Sequence, residues 1–308
     1  MHIFVTGGTG LVGNRLIETL LKRGDSVSML TRRPEVAKAK WGERCTIVPG
    51  DPAKAGPWMD AVKECDGVVN LAGEGIFNRR WSDDFKKQMY DSRILGTQNV
   101  VKALTDHPTR ADGSPKVLVN ASAIGYYGPH GDEELTEASP PADDYLAKLC
   151  VDWEKAANEA AKAGVRVALI RIGVVLDPAG GALQKLLPPF KMFAGGPIGS
   201  GKHFMSWIHA DDLVGLTVFA LERPNVQGPI NATAPHPVTN KQFGNTLGKV
   251  LGRPSFMPTP AFMLRLMLGE VANVVTKGQN VLPRKALEAG YVFQYADLEG
   301  ALKQLLAK

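Results

Sequence analysis

The chain is poor in the residues that mark several protein classes. Its three cysteines, Cys45, Cys65 and Cys150, are odd in number and widely spaced. They build neither a disulfide framework nor a zinc pattern, and they suit a reducing compartment. No apolar run approaches the ~20 residues needed to cross a bilayer. No charged leader with a cleavage site precedes the first apolar run at Met1, so the expectation is a cytoplasmic protein with no membrane partner. His, Cys and carboxylate residues nowhere cluster at ligand spacing, which argues against a metal centre. Long blocks of one charge sign are also missing. The formal net charge is +5, but the densest basic pairs, Arg32-Arg33, Arg79-Arg80 and Lys86-Lys87, are short and separated. A nucleic-acid footprint gathers on one face, so no nucleic-acid partner is expected. A modest positive field suits an anionic small molecule better.

What is present reads as an ordinary globular chain of 308 residues, 44% hydrophobic and 22% charged, long enough for one large domain with a smaller lobe. Short β-branched runs alternate with helical patterns through the first half. Residues 1–6 form an apolar strand stopped by Gly7-Gly8, and Val12, Leu16 and Leu20 mark a helix stripe from Leu11 to Arg23. Further strands are expected at 26–30, 45–48, 67–71, 116–122 and 165–172, with helices at 81–105 (entered at Ser82 or Asp83) and 145–163. Strands joined by helical crossovers imply a parallel sheet covered on both faces. The fold class is therefore α/β, a Rossmann-type doubly wound parallel sheet with a small, mostly helical C-terminal lobe.

After Gly173 the pattern changes. Clustered Gly and Pro surround an apolar stretch at 183–193, Trp207 to Leu213 reads as a strand feeding a helix, and Pro229 to Ala232 reads as one more sheet strand. The division expected is 1–175, with 205–235 returning to it, as the nucleotide-binding domain. Residues 176–204 and 236–308 then form the substrate-side lobe.

The most specific motif is Thr6-Gly7-Gly8-Thr9-Gly10-Leu11-Val12-Gly13. Glycines at 7, 10 and 13 lie between a strand and a helix, the context a dinucleotide fingerprint requires. Gly7 permits the tight turn, Gly10 admits a pyrophosphate, and Gly13 lets the helix pack close. The helix N-terminus then offers free N–H groups to phosphate. At the end of the second strand an NAD site wants Asp or Glu for the ribose 2′-hydroxyl. This chain has Thr31-Arg32-Arg33 there, and a guanidinium pairs with a 2′-phosphate that a carboxylate would repel. The expected cofactor is NADP(H).

With these residues in view, the chain resembles the extended, epimerase-like branch of the short-chain dehydrogenase/reductase superfamily. More closely, it resembles the atypical epimerase family proteins whose C-terminal lobe is a domain of unknown function. The likeness rests on Thr6 to Gly13, Asn70 to Gly73, Ser122 to Gly128, Gly195 to Gly201, Trp207 to Leu213 and Asn231 to Pro235. It implies that Gly7, Gly8, Thr9, Gly10, Leu11 and Val12 touch the pyrophosphate, Thr31 and Arg32 the 2′-phosphate, and Leu71 and Ala72 the ribose and nicotinamide side. It also implies Gln88, Arg93 and Val174 near the nucleotide and Ser122 beside the nicotinamide. Dimeric relatives pair the helices at 82–105 and 145–163, so a monomer or homodimer is expected.

The usual Tyr and Lys, four apart on one helix, are missing. Tyr145 and Lys148 are three apart, and at about 100° per residue one of them misses its place. The register implied by Trp153-Glu154 puts Leu146 at the Tyr position and Cys150 at the Lys position. The catalytic candidates are Ser122, Tyr127 (or its neighbour Tyr126) and Cys150, with packing roles as the alternative for the tyrosines and the thiol. Glu74 is a further polar candidate, and His209 reads as an anchor for the lobe. Two functions follow: an NADP(H)-dependent oxidoreductase or nucleotide-sugar-epimerase-like enzyme acting on a small polar substrate, or a non-catalytic NADP(H)-binding sensor or partner protein.

Overall fold

Successive residues of the first strand, β1 (His2–Thr6), enter two different cores. The computed structural model describes residues 1–307. From β1 the chain continues through α1 (Leu11–Lys22), β2 (Ser26–Thr31), α2 (Pro34–Trp41), β3 (Thr46–Pro49), β4 (Gly67–Asn70), α3 (Asp83–Asp106), β5 (Val117–Ala123), β6 (Glu134–Leu135), α4 (Tyr145–Asn158) and β7 (Arg166–Ile172). There follow β8 (Val174–Asp177), α5 (Gly181–Lys191), β9 (Phe204–Met205), β10 (Trp207–His209), α6 (Ala210–Glu222), β11 (Gly228–Ala232), β12 (Val238–Thr239) and α7 (Asn240–Leu251). The chain closes with α8 (Ala261–Leu268), α9 (Ala272–Thr276), β13 (Asn280–Val281), α10 (Arg284–Glu288) and α11 (Leu298–Leu306).

Seven strands form the central sheet in the order β11-β7-β5-β4-β1-β2-β3, every pair parallel. Ile3 and Val5 pack on one face with Leu16 and Leu20 of α1 and Leu213 of α6. Phe4 lies on the other with Val100 and Leu104 of α3 and Ala157 of α4. β5 and β7 divide their residues between the two faces in the same way, as a period of two requires. The chain winds outward from β1 in both directions, so the crevice at the C-terminal ends of β1 and β4 is the topological switch point.

A separate core joins α5, α7 and α11 to the paired strands β8 and β10, with Leu183, Phe190, Trp207, Phe243, Leu247 and Leu302 inside. Within the stretch read from sequence as Gly- and Pro-rich, residues 181–191 are helical despite Pro188 and Pro189. Leu183, Leu187 and Phe190 form its buried stripe, and tertiary packing outweighs the weak local propensity. The helix expected to reach Ala163 is α-helical only to Asn158, then tightens into a 3₁₀ turn ended by Gly164 at φ +87°.

Candidate functional site

At the switch point lies a cavity of about 510 Å³. Its walls are the turn after β1 (Gly7, Thr9, Gly10), the end of β2 (Leu30 to Arg33), the loop after β3 (Asp51 to Ala53), the segment after β4 (Leu71 to Glu74) and one side of α3 (including Lys87, Gln88 and Ser92). Gly7 has φ +68°, and a Cβ there would lie 2.7 Å from the Leu71 carbonyl carbon. A Cβ on Gly13 would come within 2.3 Å of the Gly7 carbonyl oxygen. Both glycines are therefore required for α1 to start directly against the turn. The α1 N-cap is Gly10, which has no side chain to cap the helix, and its first turn holds no acidic residue. Free first-turn N–H groups at a dipole's positive end form an anion site.

Arg32 and Arg33 are exposed at the rim beyond β2. Buried Thr31 fixes the turn that carries them, because its Oγ1 accepts the Arg33 N–H at 3.0 Å. The wall after β4 is held by a buried polar ladder across three strands. Thr6 Oγ1 donates to Asn70 Oδ1 (2.6 Å), and Asn70 Nδ2 donates to Asn120 Oδ1 (2.6 Å) and Thr97 Oγ1 (2.9 Å). Thr6 Oγ1 also accepts the Ala72 N–H at 3.1 Å. Every ladder hydroxyl and amide thus has a partner, which makes the Leu71–Ala72 backbone a rigid wall.

Outside the cavity lining, two of the catalytic candidates, Ser122 and Tyr127, share one buried hydrogen-bond network. Ser122 is buried and its hydroxyl donates to Glu154 Oε1 at 2.7 Å. Glu154 takes a bidentate pair from Arg171, both bonds 2.8 Å. Arg171 Nη1 donates to the Tyr127 oxygen at 2.9 Å, and the Tyr127 hydroxyl donates to Asn231 Oδ1 at 2.7 Å. Tyr127 is wholly buried, and burial pushes its hydroxyl up to about 12. The structure therefore gives Tyr127 a packing place, with its proton committed to Asn231. Tyr126, the other tyrosine considered, lies under the Arg171 guanidinium, 3.5 Å from ring centroid to Cζ. Cys150 is buried beside Gly125, and burial raises its thiol to about 12. Such a thiol stays protonated and unreactive at neutral pH. Tyr145 donates to the Lys86 carbonyl (2.6 Å), while Lys148 pairs with Asp143 (2.8 Å) in solvent, so these two side chains stay apart.

Of the residues expected at the cofactor, Gly7, Thr9, Gly10, Thr31, Arg32, Leu71, Ala72 and Gln88 line the cavity. Five do not. A Cβ on Gly8 would meet Met29 and Ile17 side chains, Leu11 packs on Gly180, Val12 packs on the α1–α6 core, and Val174 faces the core around α5 and α7. Arg93 lies behind Gly73, where a Cβ would be 3.1 Å from its Cζ. Its guanidinium stacks over Trp153 at 5.1 Å and donates to the Met89 carbonyl at 3.1 Å. Burial lowers its pKa, and Glu74 acts on it only through space. Residues that sequence reasoning missed are Asp51 to Ala53 and the α3 residues Asp84, Lys87, Asp91 and Ser92. Gly50-Asp51-Pro52, a turn signal after the third strand, was the available clue for the first group. No group of three or more possible metal ligands occurs among the described residues.

Comparison with known proteins places these features in a family. Residues 3–232 match the model of the NAD dependent epimerase/dehydratase family, and residues 259–305 match a domain of unknown function. A relative from Arabidopsis thaliana, named epimerase family protein SDR39U1 homolog, chloroplastic, is 45% identical over 99% of this chain and 87% of its own. The Homo sapiens epimerase family protein SDR39U1 is 37% identical over the full length of both chains. A crystal structure of that human protein (isoform 2) with NADPH superimposes with a TM-score of 0.84 at 36% identity, covering 99% of each chain. A nucleoside-diphosphate sugar epimerase structure from Corynebacterium glutamicum gives a TM-score of 0.77 at 32% identity, covering 99% of this chain and 58% of that one.

Proposed function

The chain belongs to the NAD dependent epimerase/dehydratase family, and from that premise we propose that it binds NADP(H) and acts as an oxidoreductase or epimerase-like enzyme on a small polar substrate. The observation that carries the reading is one cavity with two anion-seeking ends, the uncapped N-terminus of α1 and the Arg32–Arg33 rim. The human relative crystallised with NADPH supports the cofactor assignment, and the Corynebacterium structure, named a sugar-nucleotide epimerase, supports the substrate class.

In this reading the Gly7–Gly10 backbone and the α1 N-terminus hold the pyrophosphate, and Arg32 with Thr31 takes the 2′-phosphate. Leu71 and Ala72 line the ribose, Gln88 faces them from α3, and Arg93 supports the Gly73 wall. Bound there, the nicotinamide supplies hydride transfer. Ser122 acts as a positioning residue held by the Glu154–Arg171 pair, and Cys150 as packing beside Gly125. The lobe formed by 176–204 and 236–308 closes the substrate side.

Calorimetric titration with NADPH and NADH tests the cofactor assignment. Loss of a charge-assisted contact is worth about 1.5–3 kcal/mol, so Arg32→Ala should weaken NADPH roughly 10- to 100-fold and leave NADH unchanged. Equal affinity of the native protein for both nucleotides would refute the assignment. A second reading, a protein that holds NADP(H) without turnover, is favoured by the burial of Ser122, Tyr127 and Cys150. A screen of sugar nucleotides and small carbonyl compounds for NADPH oxidation separates the two. Turnover excludes the second reading, and tight binding without any turnover selects it.

A further inference from the structure

We propose that α8 and the loops beside it form an interfacial docking surface for anionic lipid bilayers. Seven of the eight α8 residues are apolar and none is buried. Phe262 is 70% exposed, Leu266 76% and Met267 68%. Phe262 and Leu266 lie four apart, as do Met263 and Met267, giving two adjacent apolar stripes on one helix. The surface continues past the helix. The Phe256 and Met257 N–H groups both donate to the Gly195 carbonyl at 3.1 Å, and Thr259 bridges to Ile198. These bonds bring exposed Phe256 alongside the loop that carries exposed Phe193. Phe193 holds a left-handed backbone (φ +61°) with its ring under Arg253 at 4.3 Å. Contiguous apolar surface of this kind marks an interaction site rather than scattered exposure.

The charge around the patch selects its occupant. Residues 178–210 and 223–269 contain no Asp or Glu. Over the same segments Lys185, Lys191, Lys202, Arg253 and Arg265 are exposed. The next acid, Glu270, is paired with Lys86 at 2.6 Å. Over 176–204 and 236–308 the sequence has twelve Lys and Arg against five Asp and Glu, so the chain's positive balance comes from this part. A second copy docked face to face would oppose the same cations. An anionic bilayer instead offers headgroups to the cationic rim and a hydrocarbon boundary to the Phe, Met and Leu side chains. That no helix among the described residues is long and apolar enough to cross a membrane bears on crossing a bilayer, not on lying at its surface. The expectation of no membrane partner rested on that former criterion.

The test is flotation of the full chain with vesicles of phosphatidylcholine, alone or mixed with phosphatidylglycerol, at low and high salt. Binding is expected to the mixed vesicles only, and to weaken as salt shortens the range of the rim charges. The double variant Phe262→Glu/Leu266→Glu replaces exposed side chains and should reduce partitioning roughly tenfold or more. An unchanged thermal melt and unchanged NADPH titration would show that this variant is folded. Arg253→Gln/Arg265→Gln should weaken binding to the mixed vesicles and reduce its dependence on salt. Failure of the native protein to float, or equal flotation of the Phe262→Glu/Leu266→Glu variant, overturns the proposal. So does concentration-dependent self-association in sedimentation velocity that the same variant abolishes without lipid binding, which would make the face an interface between copies.

Discussion

Glu154→Gln is the sharpest probe of the buried network that holds Ser122 and Tyr127. The change is nearly isosteric, so it removes charge without opening a void. Arg171 is 3% exposed and Glu154 9% by side chain, and the pair is joined by two bonds of 2.8 Å. Replacing one carboxylate oxygen by an amide nitrogen turns an acceptor into a donor facing another donor. It also leaves a buried guanidinium without a counter-charge, a change that costs about 3–5 kcal/mol. Arg171 cannot escape by deprotonation, since the Glu154 carboxylate and the Tyr127 oxygen hold its pKa above the usual arginine value, and even alone it stays charged. At about 2.1 cal/mol/K of unfolding entropy per residue, the loss corresponds to a melting temperature lower by about 5–8 °C. Differential scanning calorimetry reads this directly. The double change Glu154→Leu/Arg171→Met should recover part of the loss, because an apolar pair of similar volume leaves no buried charge but removes the acceptor of the buried Ser122 hydroxyl. A shift below about 1 kcal/mol for Glu154→Gln would show that the pair is hydrated and that the network does not fix Ser122 and Tyr127.

Gly13→Ala sets a Cβ 2.3 Å from the Gly7 carbonyl, so α1 must move off the turn; NADPH titration should show affinity lost along with stability, and unchanged binding would mean the turn is not the phosphate site. His209 is buried as the neutral Nε2–H form, donating to Gln304 Oε1 at 2.9 Å while its Nδ1 accepts the Asp211 N–H at 3.0 Å. Its pKa is lowered by burial, so the unfolded chain binds more protons and the stabilisation, complete above the ordinary value near 6.5, falls as pH drops below it. His209→Gln should flatten this slope in urea melts between neutral and mildly acidic pH, and parallel slopes would refute the assignment. Burial raises the thiols of Cys45, Cys65 and Cys150 to about 11, 12 and 12, so the native protein should resist a thiol reagent at neutral pH and react at all three sites once unfolded. Rapid native labelling of Cys150 would return it to the role of a reactive thiol.

The cavity wall built by the turn after β1 and the end of β2 was legible because its requirements are local. A tight turn, a close helix start and a cation after the second strand each fall within a few residues, and Gly7, Gly13 and Arg32 state them in one-residue terms. Strand positions were legible for a similar reason. Residues such as Ile3, Phe4 and Val5 alternate between two cores, and both faces need apolar side chains. The helix α5 was not legible, because Pro188 and Pro189 outweigh its buried stripe in any local reading. Asp51 to Ala53 gave only a turn signal, which says that the chain bends and not what it bends around.

The buried network escaped for a deeper reason, which also explains why Tyr127 looked like a substitute acid. A tyrosine five residues after Ser122, at the mouth of a sheet, has the position of a proton donor, and position is all that one segment reveals. What decides its role is Arg171, 44 residues away, and Asn231, 104 residues away, and neither separation has a period or a spacing rule. Ser122 is settled in the same way by Glu154, 32 residues on. Each of these groups reads as an ordinary polar residue alone, and together they commit the Ser122 and Tyr127 hydroxyls to Glu154 and Asn231. If the protein turns over a substrate, the proton must come from a group other than these two hydroxyls.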